Sequence, residues 1–201
     1  MAKKLKRSVG NRPQRIRIYV FCEGKNTEPE YFKAYEKYVS HSRLELCNQE
    51  VHGVPVTLYE HAKRKKDVVS SRSYQRENGE KDQVWIVFDR DEHPNVQLVL
   101  NNCRREGIGA AFSNPCFEVW LILHKENYDK DEHRHATQEK CERTCSGYNR
   151  NSRKMPKMSE LMPLVEEAEA RAISLEERRK EDHGTAPLTT AYKLTKAMRG
   201  L

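Results

Sequence analysis

The strongest constraint in this chain is a short run, Val84-Trp85-Ile86-Val87-Phe88, in which no position is polar. A strand with one wet face alternates apolar and polar residues, whereas an unbroken run needs cover on both faces, as in a parallel sheet. The run ends in Asp89-Arg90-Asp91-Glu92-His93, and Pro94 opens a helix carrying Val96, Val99, Leu100 and Cys103. Gly107 stops that helix, and Ile108 to Phe112 reads as a further strand. Ser113-Asn114-Pro115 then caps a helix with Phe117, Trp120, Leu121 and His124 on one face.

Upstream, Ile16 to Cys22 (IRIYVFC) is a buried first strand, followed by the loop Glu23-Gly24-Lys25-Asn26. Thr27 and Glu30 have capping-box spacing, and Phe32, Tyr35 and Tyr38 or Val39 recur at helical intervals behind them. Val51 to Tyr59 is expected as a second strand, at the sheet edge because Gly53 and Pro55 interrupt it. Residues 60 to 78 read as a polar helix. This alternation predicts an α/β fold, Rossmann-like, with a mostly parallel four-stranded sheet flanked by helices. No strand signal follows residue 125. Residues 158 to 181 are helix-prone, and Thr189 or Thr190 is placed to cap a last helix. The expected organisation is a basic flexible tail (1–15), an α/β core (16–125) and a helical extension packed on it (126–201).

The charge is unevenly spread. The first seventeen residues hold Lys3, Lys4, Lys6, Arg7, Arg12, Arg15 and Arg17 and no acid, while the other 184 balance at 30 basic against 30 acidic side chains. Such an arm either attracts nucleic acid phosphates through counterion release or only solubilises the terminus. No apolar stretch follows it, so no secretory leader is expected, and no run approaches the roughly 20 residues that cross a bilayer. Six scattered cysteines without a secretory pattern predict reduced thiols in a cytoplasmic protein. His133, His135, Cys141 and Cys145 lack the usual zinc spacing.

In a parallel α/β sheet, functional groups gather beyond the carboxyl ends of the strands. Glu23 leaves the first strand, Asp89 and Asp91 leave the Val84–Phe88 strand, Glu118 lies just inside a following helix, and Glu28 opens the first one. Two unit charges 4 Å apart repel by about 4 kcal/mol at an effective dielectric of 20. A hard divalent cation, Mg²⁺ or Mn²⁺, removes that repulsion and can activate water at a phosphate. Taken singly, each acid has a plainer explanation. Asp-x-Asp is common turn chemistry, Gly24 eases a turn, and Glu28 and Glu118 complement helix N-termini. Their placement on one rim is what argues for a metal site.

Glutamate after the first strand and Asp-x-Asp after a later one is the Toprim pattern of topoisomerases, primases and OLD nucleases. The blocks YVFCEGKNTEPEYFKAY, WIVFDRDEH and FSNPCFEVWLILH, in this order, more closely resemble the RloB-like family, as does the closing TAPLTTAYKL. The resemblance implies a Toprim-like nuclease of prokaryotic antiphage loci, encoded beside an ABC-type ATPase. It implies that Glu23, Asp89 and Asp91 are catalytic, that Glu23, Glu28, Asp89, Asp91 and Glu118 hold metal, and that the substrate is DNA or RNA. Lys25 and His93 are expected to contact substrate. Many Toprim proteins have a glycine soon after Asp-x-Asp, where this chain has Glu92-His93-Pro94-Asn95. A non-catalytic subunit docking onto the ATPase is the alternative. A phosphatase of the haloacid dehalogenase type would need aspartate where Glu23 stands. A homo-oligomer is compatible with all of these.

Overall fold

The computed structural model describes residues 15–39, 44–90, 93–152, 154–182 and 184–200. Strands β1 (Ile16–Cys22), β2 (Leu44–Gln49), β3 (Gln83–Asp89), β4 (Gly109–Asn114) and β5 (Leu188–Thr189) form one sheet, ordered β2-β1-β3-β4-β5. The first four are mutually parallel, and β5 runs antiparallel to β4. Cys22 pairs with Val87 and Val87 with Ala111, so β1, β3 and β4 end side by side.

The apolar run predicts cover on both faces, and β3 has it: Val84, Ile86, Val87 and Phe88 are all buried. Alternate residues split between two cores. Ile18, Val20, Cys22 and Val87 pack beneath helices α1 (Thr27–Val39), α5 (Glu118–Leu123), α8 (Val165–Glu181) and α9 (Ala191–Arg199). Phe21, Val84, Ile86 and Phe88 meet α2 (Pro55–Val69) and α4 (Val96–Glu106) on the other side. Every residue of α5 is buried. Six residues of helix would not persist alone; burying Trp120, Leu121 and Leu123, at roughly 1.5–3 kcal/mol for each large apolar side chain, holds α5 in place. The remaining helices are α3 (Arg72–Asn78), α6 (Arg134–Thr144) and α7 (Met158–Leu161), with a 3-10 turn at Met162–Leu164.

The structure corrects five local expectations. The second strand is Leu44–Gln49, not 51–59: it is an edge strand whose positions are almost all half-buried, so its pattern is weak. Pro55 instead opens α2, where Pro55, Leu58, Ala62 and Val69 line one buried face. Ser113 and Asn114 end β4 rather than capping α5, because Asn114 Nδ2 donates to Thr185 O and Ser113 Oγ lies 3.0 Å from Thr189 Oγ1. Thr189 belongs to a fifth strand, two residues long and too short to leave a periodic signal, and Thr185 to the loop before it. The Thr27 hydroxyl donates to Lys154 O (2.9 Å) instead of serving a capping box. Finally, Arg17 is no free tail residue: its backbone N–H donates to Asp82 (2.8 Å), and its guanidinium pairs with Glu45 and Asp82. Residues 1–14 lie outside the described residues. Among the described residues, no helix is long and apolar enough to cross a membrane.

Candidate active site

The carboxyl ends of β1 and β3 bring the first two acids together. The Glu23 N–H donates to Val87 O (2.9 Å), which carries the chain past the end of β1 still alongside β3. Glu23 Oε2 thereby accepts from the Asp89 N–H (3.2 Å), and Glu23 Oε1 lies 3.1 Å from His93 Nε2. Asp89, the last residue of β3, is only 6% exposed, and its Oδ2 lies 3.8 Å from Arg134 Nη2.

Glu28 comes from the first turn of α1 and folds back over the loop. A Cβ on Gly24 would sit 2.0 Å from Glu28 Oε2. Gly24 is therefore there for clearance: any side chain would displace the carboxylate. Glu118, the first residue of α5, is 4% exposed, and its Oε1 accepts from Tyr148 Oη (2.5 Å).

Glu28, Asp89 and Glu118 thus face one cleft of about 550 Å³, which Lys25, Arg134 and Lys154 also line. Burial first, then repulsion from Glu118 and Glu23, pushes the Glu28 carboxyl up to about 7. Asp89 is pushed well above the ordinary carboxylate range by burial and by Glu28 and Glu118, with Arg134 pulling the other way. The cleft therefore carries more buried negative charge than its neighbours balance. That imbalance and the all-oxygen donor set suit a hard divalent cation. Among the described residues, no group of three His, Cys, Asp or Glu side chains is already closed around a point that could hold one. Asp91 and Glu92 lie outside the described residues.

Lys25 is exposed on the wall of this cleft, whereas His93 turns to Glu23 and lines a neighbouring one. The four His and Cys residues with near-zinc spacing separate: His133 and His135 are exposed at the start of α6, while Cys141 and Cys145 are buried in the core. Arg134, Gln138, Tyr148 and Lys154 are site residues that no motif marked. With the Gln138 amide oxygen turned toward them, Arg134 Nε (3.2 Å) and Lys154 Nζ (3.1 Å) both donate to it beside Glu118. All four come from the polar stretch after residue 128, which carries no motif or periodic signal for them.

Fold and site together define the class: a three-layer α/β protein with an acidic cleft at the carboxyl edge of a parallel sheet. The model of the RloB-like protein family matches residues 18–198, and the chain belongs to that family. No curated protein and no solved structure matches it.

Proposed function

We propose that this RloB-like protein is a divalent-metal-dependent nuclease that cuts DNA or RNA in prokaryotic antiphage defence, together with an ABC-type ATPase. The observation that carries this reading is the convergence of Glu28, Asp89 and Glu118, buried and mutually repelling, from three elements onto one cleft. The Toprim-like order of Glu23 and Asp89 along the chain agrees with it.

Glu28, Asp89 and Glu118 would hold Mg²⁺ or Mn²⁺, joined by Asp91 on the family pattern. Such a cation, when bound, supplies Lewis acidity and neutralises charge developing on a phosphate. Arg134, which lines the same cleft beside Asp89, steadies a non-bridging phosphate oxygen and limits repulsion between the substrate and the carboxylates. Lys25 does the same from the opposite loop. Glu23 is the least buried of the four acids and is oriented by the Asp89 N–H. It takes the proton of the attacking water, and His93 Nε2, 3.1 Å away, shares it.

The test is cleavage of DNA, tRNA and other RNA by purified protein with Mn²⁺ or Mg²⁺, alone and with the ATPase. The wild-type protein should cut and Asp89→Ala should not. Equal cutting by both would overturn the proposal. A wild-type protein that never cuts, even with the ATPase, would instead be the docking subunit.

A further inference from the structure

Gln138, on α6, is only 4% exposed, and the two cations that meet on its amide oxygen both line the acidic cleft. Arg134 Nε donates to that oxygen from 3.2 Å and Lys154 Nζ from 3.1 Å. Lys154 is fixed a second time through its backbone, whose carbonyl accepts from the Thr27 hydroxyl (2.9 Å) at the start of α1. Elsewhere in the same polar stretch the cations are held by carboxylates. Lys140 pairs with Glu126, Arg150 with Glu142 (3.5 Å) and Lys157 with Glu160 (3.6 Å). A carboxylate at position 138 would bind Arg134 and Lys154 more strongly, but it would also neutralise them. The amide orients both and leaves their charge intact. Lysine carries three N–H groups and arginine five, so one bond to Gln138 exhausts neither. Two donors that meet on one oxygen are also close enough to meet on one phosphate.

We infer that Lys154 and Arg134 form a clamp for a single substrate phosphate in the acidic cleft, and that Gln138 is the residue that positions it. The inference rests on the phosphodiester substrate of the nuclease reading. It adds Lys154 as a substrate contact and Gln138 as a positioning residue that acts through the two cations. Donors already aimed at the phosphate need no rearrangement when it arrives. Contacts of this kind hold a backbone without reading its bases.

The experiment measures binding of a fluorescently labelled single-stranded oligonucleotide by anisotropy across a salt series, with a chelator present so that nothing is cut. Lys154→Ala should weaken binding several-fold and make the slope of log K against log salt shallower by about 0.7, one phosphate contact. Gln138→Met removes the shared acceptor and leaves both charges in the chain. It should weaken binding at least as much as Lys154→Ala, and the double variant should be no weaker than Gln138→Met alone, because the lysine acts through the glutamine. Arg76→Ala, on α3, should change nothing. Lys154 is half-buried on the cleft wall, so Lys154→Ala tests the clamp even if Gln138→Met lowers stability. Wild-type affinity and slope in Lys154→Ala would overturn the clamp, and effects that multiply in the double variant would overturn the role of Gln138. The two readings fail separately. A wild-type protein that never cuts, yet loses binding in Lys154→Ala, would sink the nuclease and keep the clamp. Undiminished cutting by Lys154→Ala at subsaturating substrate would sink the clamp and keep the nuclease.

Discussion

Two of the places where this molecule buries carboxylates treat them in opposite ways. Between α8 and α9, Glu169 is 3% exposed; its Oε1 accepts from Thr195 Oγ1 (2.6 Å) and its Oε2 pairs with Arg199. That acid has a partner for each oxygen. At the end of β3, Asp89 and Glu28 are as deeply buried, yet the groups nearest them include further acids, and the arginine facing Asp89 stands 3.8 Å away. Burying charge without compensation costs several kcal/mol per ion. A fold tolerates this where the cost is relieved by something that arrives later. Glu169 is paired within the fold, whereas Asp89 and Glu28 are acids of the proposed site.

The widest separation between the two regions should come from single substitutions. Glu169→Ala leaves Arg199 without its buried partner and should cost about 3 kcal/mol of stability by denaturant unfolding, with cleavage activity unchanged in the folded fraction. Asp89→Asn should do the reverse. It removes a repelled buried charge, so stability at pH 8 should hold or rise, while cleavage falls by at least about a hundredfold. If both substitutions destabilised alike, the contrast between the regions would be false.

The pH dependence of stability sharpens the same contrast. Glu28, raised from the ordinary carboxylate range to about 7, binds more protons folded than unfolded. Its contribution is therefore present at acid pH and is lost as pH rises toward 7. His124 acts in the opposite sense. It is buried between Tyr31 Oη (2.9 Å) and Trp120 O (2.8 Å), and burial pushes its ring down to about 4. It stays neutral in the fold, so stability is lost as pH falls from about 6.5, the unfolded value, toward 4. In the wild-type protein the two slopes offset over the same range. Glu28→Gln should unmask the histidine. Relative to wild type, the variant should gain up to about 3 kcal/mol at pH 8, shrinking toward zero near pH 4.5, as read from melting curves. A constant difference across pH would place Glu28 in an ordinary, solvated environment.

The smallest expected effect on stability is at Gly24. The displaced atom in Gly24→Ala is the end of a flexible glutamate, so unfolding should move by less than about 1 kcal/mol. Cleavage should nevertheless fall at least tenfold, because Glu28 can no longer fold over the loop. Full activity in this variant would remove Glu28 from the site.

How much of this was legible in the sequence follows from signal strength. β1 and β3 were readable because they are central and covered on both faces, and Gly107, at φ +64° with Ile108 N–H bonded back to Cys103 O (2.9 Å), stops α4 where a glycine was expected to. β2 and β5 were not. An edge strand of half-buried residues and a two-residue strand owe their existence to tertiary pairing, which leaves little periodicity behind. The site divides the same way. Glu23, Glu28, Asp89 and Glu118 sit at strand ends and helix starts, where topology alone says they meet. Arg134, Gln138, Tyr148 and Lys154 reach the cleft from a stretch whose folding over the sheet edge no local pattern encodes.

Isothermal titration of Mn²⁺ into the wild-type protein and into Asp89→Asn tests the central claim most directly, because it asks whether the uncompensated acids hold a cation at all. Saturable binding by the wild-type protein, lost or greatly weakened in Asp89→Asn while Glu169→Gln binds normally, is the predicted result. Absence of binding in the wild-type protein, or equal binding in Asp89→Asn, would contradict it.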